Sequence, residues 1–78
     1  MFFNNKKKKI INIEGMTCKH CAKKIEDALE NLVDVSNTKI ELNKKRAVVT
    51  YDNTIDEILL QETIEKLGFN VTGIKEAS

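Results

Sequence analysis

The chain has 78 residues, enough for one small domain with a thin core. Apolar residues make up 41% of the chain, which indicates a folded domain and not a disordered segment. Thirteen Lys and Arg residues nearly balance twelve Asp and Glu residues, and the aromatic residues are three Phe and one Tyr. Such a charge balance argues against nucleic acid as a partner, and so few aromatic rings leave little for base stacking.

The N-terminal stretch MFFNNKKKKII carries lysines but lacks the apolar segment of about 7–15 residues that a signal peptide needs. No apolar run approaches the roughly 18–20 residues that cross a bilayer. The sequence therefore predicts a cytoplasmic protein with no stable membrane association, where a structural disulfide is not expected. Residues 1–7 are expected to form a flexible tail. We interpret Lys6–Lys9 as a solvated strand edge, because edge lysines discourage pairing with other chains.

Along the chain, segments whose apolar residues have the spacing typical of strands are followed by segments with the spacing typical of helices. Strict alternation of apolar and polar residues predicts strands, and apolar residues at three- and four-residue steps predict helices with one apolar face. In chain order the predicted elements are a strand at 9–14, a helix at 19–31, a hairpin of strands at 36–43 and 46–51, a helix between Thr54 and Gly68, and a strand at 70–74. This β-α-β-β-α-β order predicts an α+β ferredoxin-like sandwich, a four-stranded antiparallel sheet with both helices on one face.

The second helix carries recognisable signals at both ends. Thr54 and Glu57 have the spacing of a capping box, which predicts Thr54 as the N-cap residue. Gly68 follows the last apolar position of the helix and is expected at the C′ position. The predicted core consists of Ile11, Ile13, Ile25, Leu29, Leu32, Ile40, Leu42, Val49, Leu60, Ile64, Leu67 and Val71.

The stretch GMTCKHC, residues 15–21, places two cysteines three positions apart where the first strand passes into the first helix. Cys18 is expected just before the helix and Cys21 in its first turn, beside backbone N–H groups that lack intrahelical partners. The helix dipole and nearby lysines favour the thiolate, so the pair should lose its protons easily. Thiolates are soft ligands, which select Cu(I), zinc or iron–sulfur clusters among biological metals.

The number of available donors narrows the choice of metal. Structural zinc sites and iron–sulfur clusters usually need four protein ligands, whereas the chain contains two Cys and one His. Two thiolates are enough for two-coordinate Cu(I), and lysines nearby can balance the negative charge of that complex. We interpret His20 as a solvent-facing residue that tunes the thiolates, with direct ligation as the alternative.

The motif GMTC-x-H-C, together with AVVTYD at residues 47–52 and IEKLGF at residues 64–69, resembles the heavy-metal-associated domain family and, within it, the CopZ-like bacterial copper chaperones. The resemblance covers about residues 9–75 and implies a single such domain at 8–76. It implies that Cu(I), or another soft metal ion, is held by Cys18 as the exposed ligand and Cys21 as the sheltered one. The implied function is handover without catalysis, in which thiolates of a copper-transporting P-type ATPase replace those of the chain.

The same resemblance implies supporting roles around the cysteines. Gly15 would let the chain turn, and Met16 would pack beneath the loop without binding metal. Thr17 stands where relatives that bind divalent ions often have aspartate, which favours Cu(I) over zinc or cadmium. Phe69 stands where bacterial copper chaperones usually have tyrosine, so the apolar cover is kept and a hydroxyl is lost.

Lys19, Lys23 and Lys24 follow the loop, and we expect them to steer docking against an acidic face of the partner. Plain solvation of a helix face is the alternative for these three side chains. The metal-free protein is expected to be monomeric, and a copper-bridged dimer, in which His20 could reach the shared metal, stays open.

Other functions also stay open at this point. The chain could be the metal-binding domain of a heavy-metal transporter, or a carrier of Hg(II) or Zn(II), because these ions also bind dithiolates. A small thiol–disulfide redox protein is the alternative from a different class, because the C-x-x-C spacing also occurs in redox motifs.

Overall fold

The computed structural model describes residues 7–52 and 54–77. In chain order the elements are β1 (Lys7–Glu14), α1 (Lys19–Glu30), β2 (Val35–Glu41), a 3₁₀ turn (Leu42–Lys44), β3 (Arg46–Tyr51), α2 (Glu57–Glu65) and β4 (Asn70–Ala77). The strands form one antiparallel sheet in the order β2-β3-β1-β4. α1 contacts β2, α2 contacts β4, and the helices contact each other, so both lie on the same face of the sheet. The predicted ferredoxin-like α+β fold is confirmed.

The core lies between the two helices and one face of the sheet. It includes alternate residues of the central strands β1 and β3 and the inward face of each helix. The buried hydrophobic residues are Ile11, Ile13, Met16, Ile25, Leu29, Val35, Ala47, Val49, Tyr51, Leu60 and Ile64. Four further residues of the predicted core, Leu32, Ile40, Leu42 and Val71, are partly buried and pack against this cluster.

The second helix begins later than the capping box predicts. Asp56 is the N-cap, and its Oδ1 accepts a hydrogen bond from the Ile58 N–H at 2.9 Å. Glu57 does not complete a capping box, because its carboxylate binds Lys9 Nζ at 2.6 Å. The prediction of Thr54 as the N-cap is therefore wrong, since aspartate is the better cap and lies where the helical hydrogen bonds begin.

The same helix ends at Glu65, and the chain leaves it through a tight turn. The N–H of Gly68 donates to the carbonyl of Glu65 at 3.0 Å, and the φ of Gly68 is +97°, a conformation that favours glycine. Ile64 is the last buried residue of the helix. Leu67, which lies in the turn, is 39% exposed, so its predicted place in the core is wrong.

β1 lies in the middle of the sheet, between β3 and β4, so the interpretation of the lysine run as a strand edge is wrong. Lys7, expected in the tail, is the first residue of β1, and residues 1–6 lie outside the described residues. The side chain of Lys9 is only 11% exposed, because it reaches Glu57 and lies 5.9 Å from the centroid of the Tyr51 ring. The hydrogen bond to Glu57 raises the pKa of Lys9. This ion pair ties the central strand to the start of α2.

The C-terminal ends of two strands differ from the predicted ones. β2 ends at Glu41, because the chain turns through the 3₁₀ turn that follows, and β4 extends beyond residue 74 to Ala77 by pairing with β1. Neither helix within the described ranges is long and apolar enough to cross a membrane.

Lys45 offers a test of the turn between β2 and β3, because its φ of 54° and ψ of 47° are left-handed. In this conformation a residue with a Cβ is destabilised by about 1–2 kcal/mol. Glycine avoids that cost but loses more entropy on folding. We expect Lys45→Gly to raise the free energy of unfolding by about 0.5–1 kcal/mol in urea titrations. Lys44→Gly, one residue earlier in the 3₁₀ turn, is the matched control and should lower it. Equal destabilisation by both changes would contradict the prediction.

Candidate metal-binding site

The loop between β1 and α1 packs against the hydrophobic core. Gly15 turns the chain after β1 with a φ of +92°, and a Cβ there would lie 3.5 Å from the ring of Phe69, an ordinary contact. The backbone conformation, and not lack of space, therefore favours glycine at this position. Met16, which follows Gly15, is 1% exposed and belongs to the core cluster. Phe69 is partly buried against the same cluster.

The two cysteines face each other across the first turn of α1. Cys18 is the N-cap residue with extended backbone, and Cys21 lies in the first turn of the helix. The Sγ atoms are 3.3 Å apart and belong to free thiols. Cys18 is exposed, whereas Cys21 is partly buried and packs against the core. Cys18 can therefore be reached directly from solvent, and Cys21 is the more sheltered of the two.

The two sulfurs lie closer together, by about 1 Å, than one bridging ion needs them to be. Thiolate bonds to zinc are about 2.3 Å long, so two sulfurs on opposite sides of one ion lie roughly 4–5 Å apart. A rotation of the exposed Cys18 side chain that moves its sulfur by about 1 Å would open the pair that far. The pair therefore fits a single soft ion.

No third ligand completes the pair in the part of the chain that the structure describes. There, no group of three His, Cys, Asp or Glu side chains could hold a metal ion. His20 is exposed and does not join the two cysteines in such a group. Two thiolates suit a soft ion of low coordination number and fall short of a tetrahedral zinc site.

The surroundings of Cys18 favour its thiolate, the form that binds metals. The backbone N–H of Cys21 is the main cause of the lowered pKa of Cys18, and the thiol of Cys21 is the second. The N–H of His20 and the charge of Lys24 lower this pKa further. The side chain of Cys18 makes no regular capping hydrogen bond, so the N–H groups act mainly as the positive end of the helix.

These causes predict a pH profile for Cys18 in the reduced, metal-free protein. Its alkylation by iodoacetamide should rise with pH through a pKa below the ordinary value of 9.0. Cys21→Ala removes the thiol but keeps the backbone N–H, so it should raise the pKa of Cys18 only part of the way to 9.0. Mass spectrometry of the alkylated site gives the rate at each pH. A full return to 9.0 in this variant would contradict the main role of the N–H group.

The remaining residues of the predicted site are exposed and lie near the cysteines in sequence. Thr17 is exposed next to Cys18, and Lys19, Lys23 and Lys24 are exposed on α1. Lys23 Nζ lies 3.3 Å from Asp27 Oδ1, an exposed pair of small energetic value. Lys19 and Lys24 form no ion pair with any residue that the structure describes.

Ala22 is a contributor to the site that the sequence analysis missed. Its N–H donates to the carbonyl of Cys18 at 3.1 Å, which closes the first turn and fixes the position of Cys21. Its side chain packs against the core. The only sequence signal for this role is its place three residues before Ile25, on the apolar face of the helix.

Comparisons with known proteins agree with this arrangement. The model of the heavy-metal-associated domain family matches residues 10–70. The copper chaperone CopZ of Staphylococcus haemolyticus is 39% identical over 64 residues, which cover 81% of this chain and 94% of that protein. The copper chaperone CopZ of Staphylococcus aureus (strain bovine RF122) is 33% identical over 63 residues, which cover 80% and 93%.

Solved structures of copper-binding proteins are also similar to the chain. A structure described as a CopZ metallochaperone has a TM-score of 0.79 and 32% identity, with 83% of this chain and 98% of the other covered. A copper-binding domain from HMA7, a P-type ATPase, has a TM-score of 0.77 and 32% identity, with 92% and 95% covered. Because the family match spans most of the residues and the fold is shared, the chain belongs to the heavy-metal-associated domain family.

Proposed function

We propose that the chain is a copper chaperone that holds one Cu(I) ion between the thiolates of Cys18 and Cys21. The observation that carries this proposal is the isolated pair of free sulfurs, 3.3 Å apart at the start of α1 with no third donor among the described residues. Cu(I) is a soft ion that tolerates a site with only two thiolate ligands, whereas structural zinc sites usually have four ligands. The similarity to copper chaperones over nearly their whole length supports the same metal here.

The cargo is passed on by exchange of thiolates. A thiolate of the receiving protein forms a bond to Cu(I), the bond to the exposed Cys18 breaks, and Cys18 leaves as a thiolate that takes up a proton from solvent. A second incoming thiolate then replaces the more sheltered Cys21. No electron is transferred in either step, and the number of Cu–S bonds is never below two. The chain is thus a carrier and not an enzyme.

The receiver that fits best is a copper-transporting P-type ATPase. Copper-binding domains of such pumps share this fold at 32% identity, so a receiving domain would present a similar loop and a similar exposed thiolate. Lys19, Lys23 and Lys24 are exposed and follow one of the cysteines within three residues, and their positive charge attracts an acidic face of the receiver and speeds its docking. We place this exchange in the cytoplasm, between the Cu(I)-loaded chain and the cytoplasmic domain of the pump, and we expect the chain to be a monomer once it is metal-free.

A second candidate keeps the site and changes the role. Because the solved domain of a copper pump has the same 32% identity to the chain as the solved chaperone, the chain could act as a receiver of copper and not as its carrier. A redox function remains the candidate from another class, since sulfurs 3.3 Å apart need to approach to about 2.05 Å to form a disulfide.

Anaerobic titration of the reduced protein with Cu(I) and Zn(II), each against a competing chelator, tests the proposal. We expect one tightly bound Cu(I), weak Zn(II) binding, and two or three sulfur ligands in sulfur X-ray absorption spectra of the product. Light scattering of the same samples reports whether copper joins two chains. Failure to retain Cu(I), combined with a reversible disulfide within the potential range of the cytosol, would favour the redox function.

A further inference from the structure

One face of the sheet carries neither helix. Both helices pack on the face that contains Ile11 and Val49, so alternate residues of each strand point to the opposite side, which we call the open face. Four residues in the middle of the open face lie directly opposite one another across all four strands. This central row runs from β2 to β4 in the order Lys39, Val48, Ile10 and Lys75.

The open face carries unpaired positive charge. Lys39 and Lys75 are exposed at the two ends of the central row, and Lys8 is exposed on the same side of β1. None of these three lysines forms an ion pair within the described ranges. Because the pairing of the strands holds them on one side of a rigid sheet, their charges act together on whatever meets that side.

The negative charge of the domain is concentrated elsewhere. On the open face, Glu41 is bound to Arg46, which lies directly opposite it. Glu14 also points to this side, but it lies at the far end of β1, next to the cysteine loop. On the other side of the sheet, α2 contains three glutamates and no lysine or arginine. The domain therefore has a basic face and an acidic face, and this asymmetry would orient it on an anionic surface.

The apolar centre of the open face is too small for a stable protein interface. Ile10 and Val48 are the only large apolar side chains that the four strands place there, and both are already partly buried. A stable complex buries about 800 Å² of each partner around an apolar core in which lysine is rare. An anionic lipid surface needs no such core, because flexible lysine side chains reach its headgroups from a flat face.

The residues that precede the sheet also favour a lipid surface. The sequence before β1 is MFFNNK, and β1 begins one residue before Lys8. Phe2 and Phe3 are adjacent aromatic residues followed by a run of lysines. Apolar side chains combined with lysines are the composition of segments that bind the interface of an anionic bilayer. This composition lies at the start of the central strand, beside the open face.

We propose that the open face binds reversibly to the surface of an anionic lipid bilayer. Lys8, Lys39 and Lys75 contact the lipid headgroups, and the apolar pair between them faces the interface. Each lysine near such a surface strengthens binding about fivefold, so the three together contribute on the order of 100-fold. Cys18 begins α1 on the other side of the sheet and stays accessible. The contact requires neither copper nor a receiving protein.

Co-sedimentation of the full, reduced, metal-free chain with vesicles tests the proposal. Vesicles of equal parts phosphatidylcholine and phosphatidylglycerol should bind the chain on the order of 100-fold more tightly than vesicles of phosphatidylcholine alone. Added salt should weaken this binding, because it screens exposed charges. Equal binding to the two kinds of vesicle would overturn the proposal.

The orientation on the bilayer is measured by NMR of the ¹⁵N-labelled chain with nanodiscs that contain a nitroxide-labelled lipid. We expect the strongest paramagnetic broadening at the amide signals of the central row and of Lys8, and the weakest in α2. Broadening that is as strong in α2 as in the central row would overturn the proposal.

Removal of charge separates this contact from general attraction of a basic surface. Lys39→Gln with Lys75→Gln should weaken binding to the anionic vesicles by about 30-fold, since two fivefold contributions are lost. The matched control, Lys44→Gln with Lys66→Gln, makes the same change of net charge at exposed residues on the helix side of the sheet. The control should lose less than about fivefold, and equal losses would overturn the proposal.

An acidic protein is the competing occupant of the open face, and poly-L-glutamate serves as its probe. At equal concentrations of negative charge, the anionic vesicles should bind the chain more tightly than the polymer does, because the polymer offers no interface for apolar side chains. Tighter binding of the polymer, with shifts of the same amide signals, would overturn the proposal. Both probes are used with the metal-free chain, so these results are independent of the copper titration that tests the proposed function.

Discussion

Replacing both loop cysteines, as Cys18→Ser with Cys21→Ser, is expected to abolish stoichiometric Cu(I) binding. Structural zinc sites gain about 10–16 kcal/mol from four ligands, or roughly 3 kcal/mol for each one. About 1.4 kcal/mol corresponds to a tenfold change in affinity, so loss of one soft ligand should cost about 100-fold. With both thiolates removed, no soft donor remains in the loop. Competition with a Cu(I) chelator under anaerobic conditions measures the loss.

The single variants distinguish the two sulfurs. Cys18→Ser and Cys21→Ser should each weaken Cu(I) binding by about 100-fold or more, because each leaves one thiolate. Cys18→Ser should also slow transfer to a receiving domain, since it removes the thiolate that solvent exposure makes the first to be exchanged.

His20→Ala is the matched control for these variants. Its imidazole is exposed and does not join the cysteines in a metal-binding group, so Cu(I) affinity should change by less than about tenfold. Retained stoichiometric binding in the double cysteine variant would disprove the site. A loss in His20→Ala as large as that in either cysteine variant would make His20 a direct ligand.

The order of the elements was predictable because the period of the hydropathy pattern changes at each junction. Ile11 and Ile13 alternate with polar residues, and both are buried on one face of β1. Ile25 and Leu29 are four positions apart, and both are buried on one face of α1. Local patterns of this kind reflect burial, which is the main determinant of both helix and strand faces.

The wrong predictions concern features that depend on the rest of the chain. The place of β1 at the centre of the sheet is decided by pairing with β3 and β4, which no local pattern of lysines reveals. The later start of α2 follows from two contacts, the cap made by Asp56 and the ion pair of Glu57 with Lys9, 48 residues away. Thr54 has the right local spacing for a cap, but these two contacts make the helix begin after it.

In the candidate site, too, some features follow from the local sequence and others depend on the rest of the chain. The positions of Cys18 and Cys21 at the start of a helix follow from the sequence, because Gly15 ends the strand and the apolar pattern begins again with Ala22. The partial burial of Cys21 does not follow from the local pattern, because it depends on the packing of α1 against the core. Chemistry carried by one short segment was predictable from that pattern, whereas burial that depends on the tertiary fold was not.

Replacing Leu60 by alanine is expected to lower the free energy of unfolding by about 2–5 kcal/mol, since the side chain is fully buried in the core. A domain of this size is stabilised by only about 4–12 kcal/mol in total, at roughly 0.05–0.15 kcal/mol per residue. Each 1 kcal/mol shifts the melting temperature of such a domain by about 4–8 °C, so the loss should be about 10 °C or more. Thermal unfolding followed by circular dichroism measures it.

The neighbouring leucine provides a control in the same helix. Leu59 is 37% exposed, whereas Leu60 is 0% exposed, and both changes to alanine alter the helix propensity of α2 by the same amount. Leu59→Ala should therefore cost less than about 1.5 kcal/mol, because less apolar surface leaves water at this position on folding. Equal costs for the two variants would contradict the inward face assigned to α2. Because Met16 belongs to the same core cluster as Leu60, a loss of stability in Leu60→Ala should also loosen the support beneath the cysteine loop.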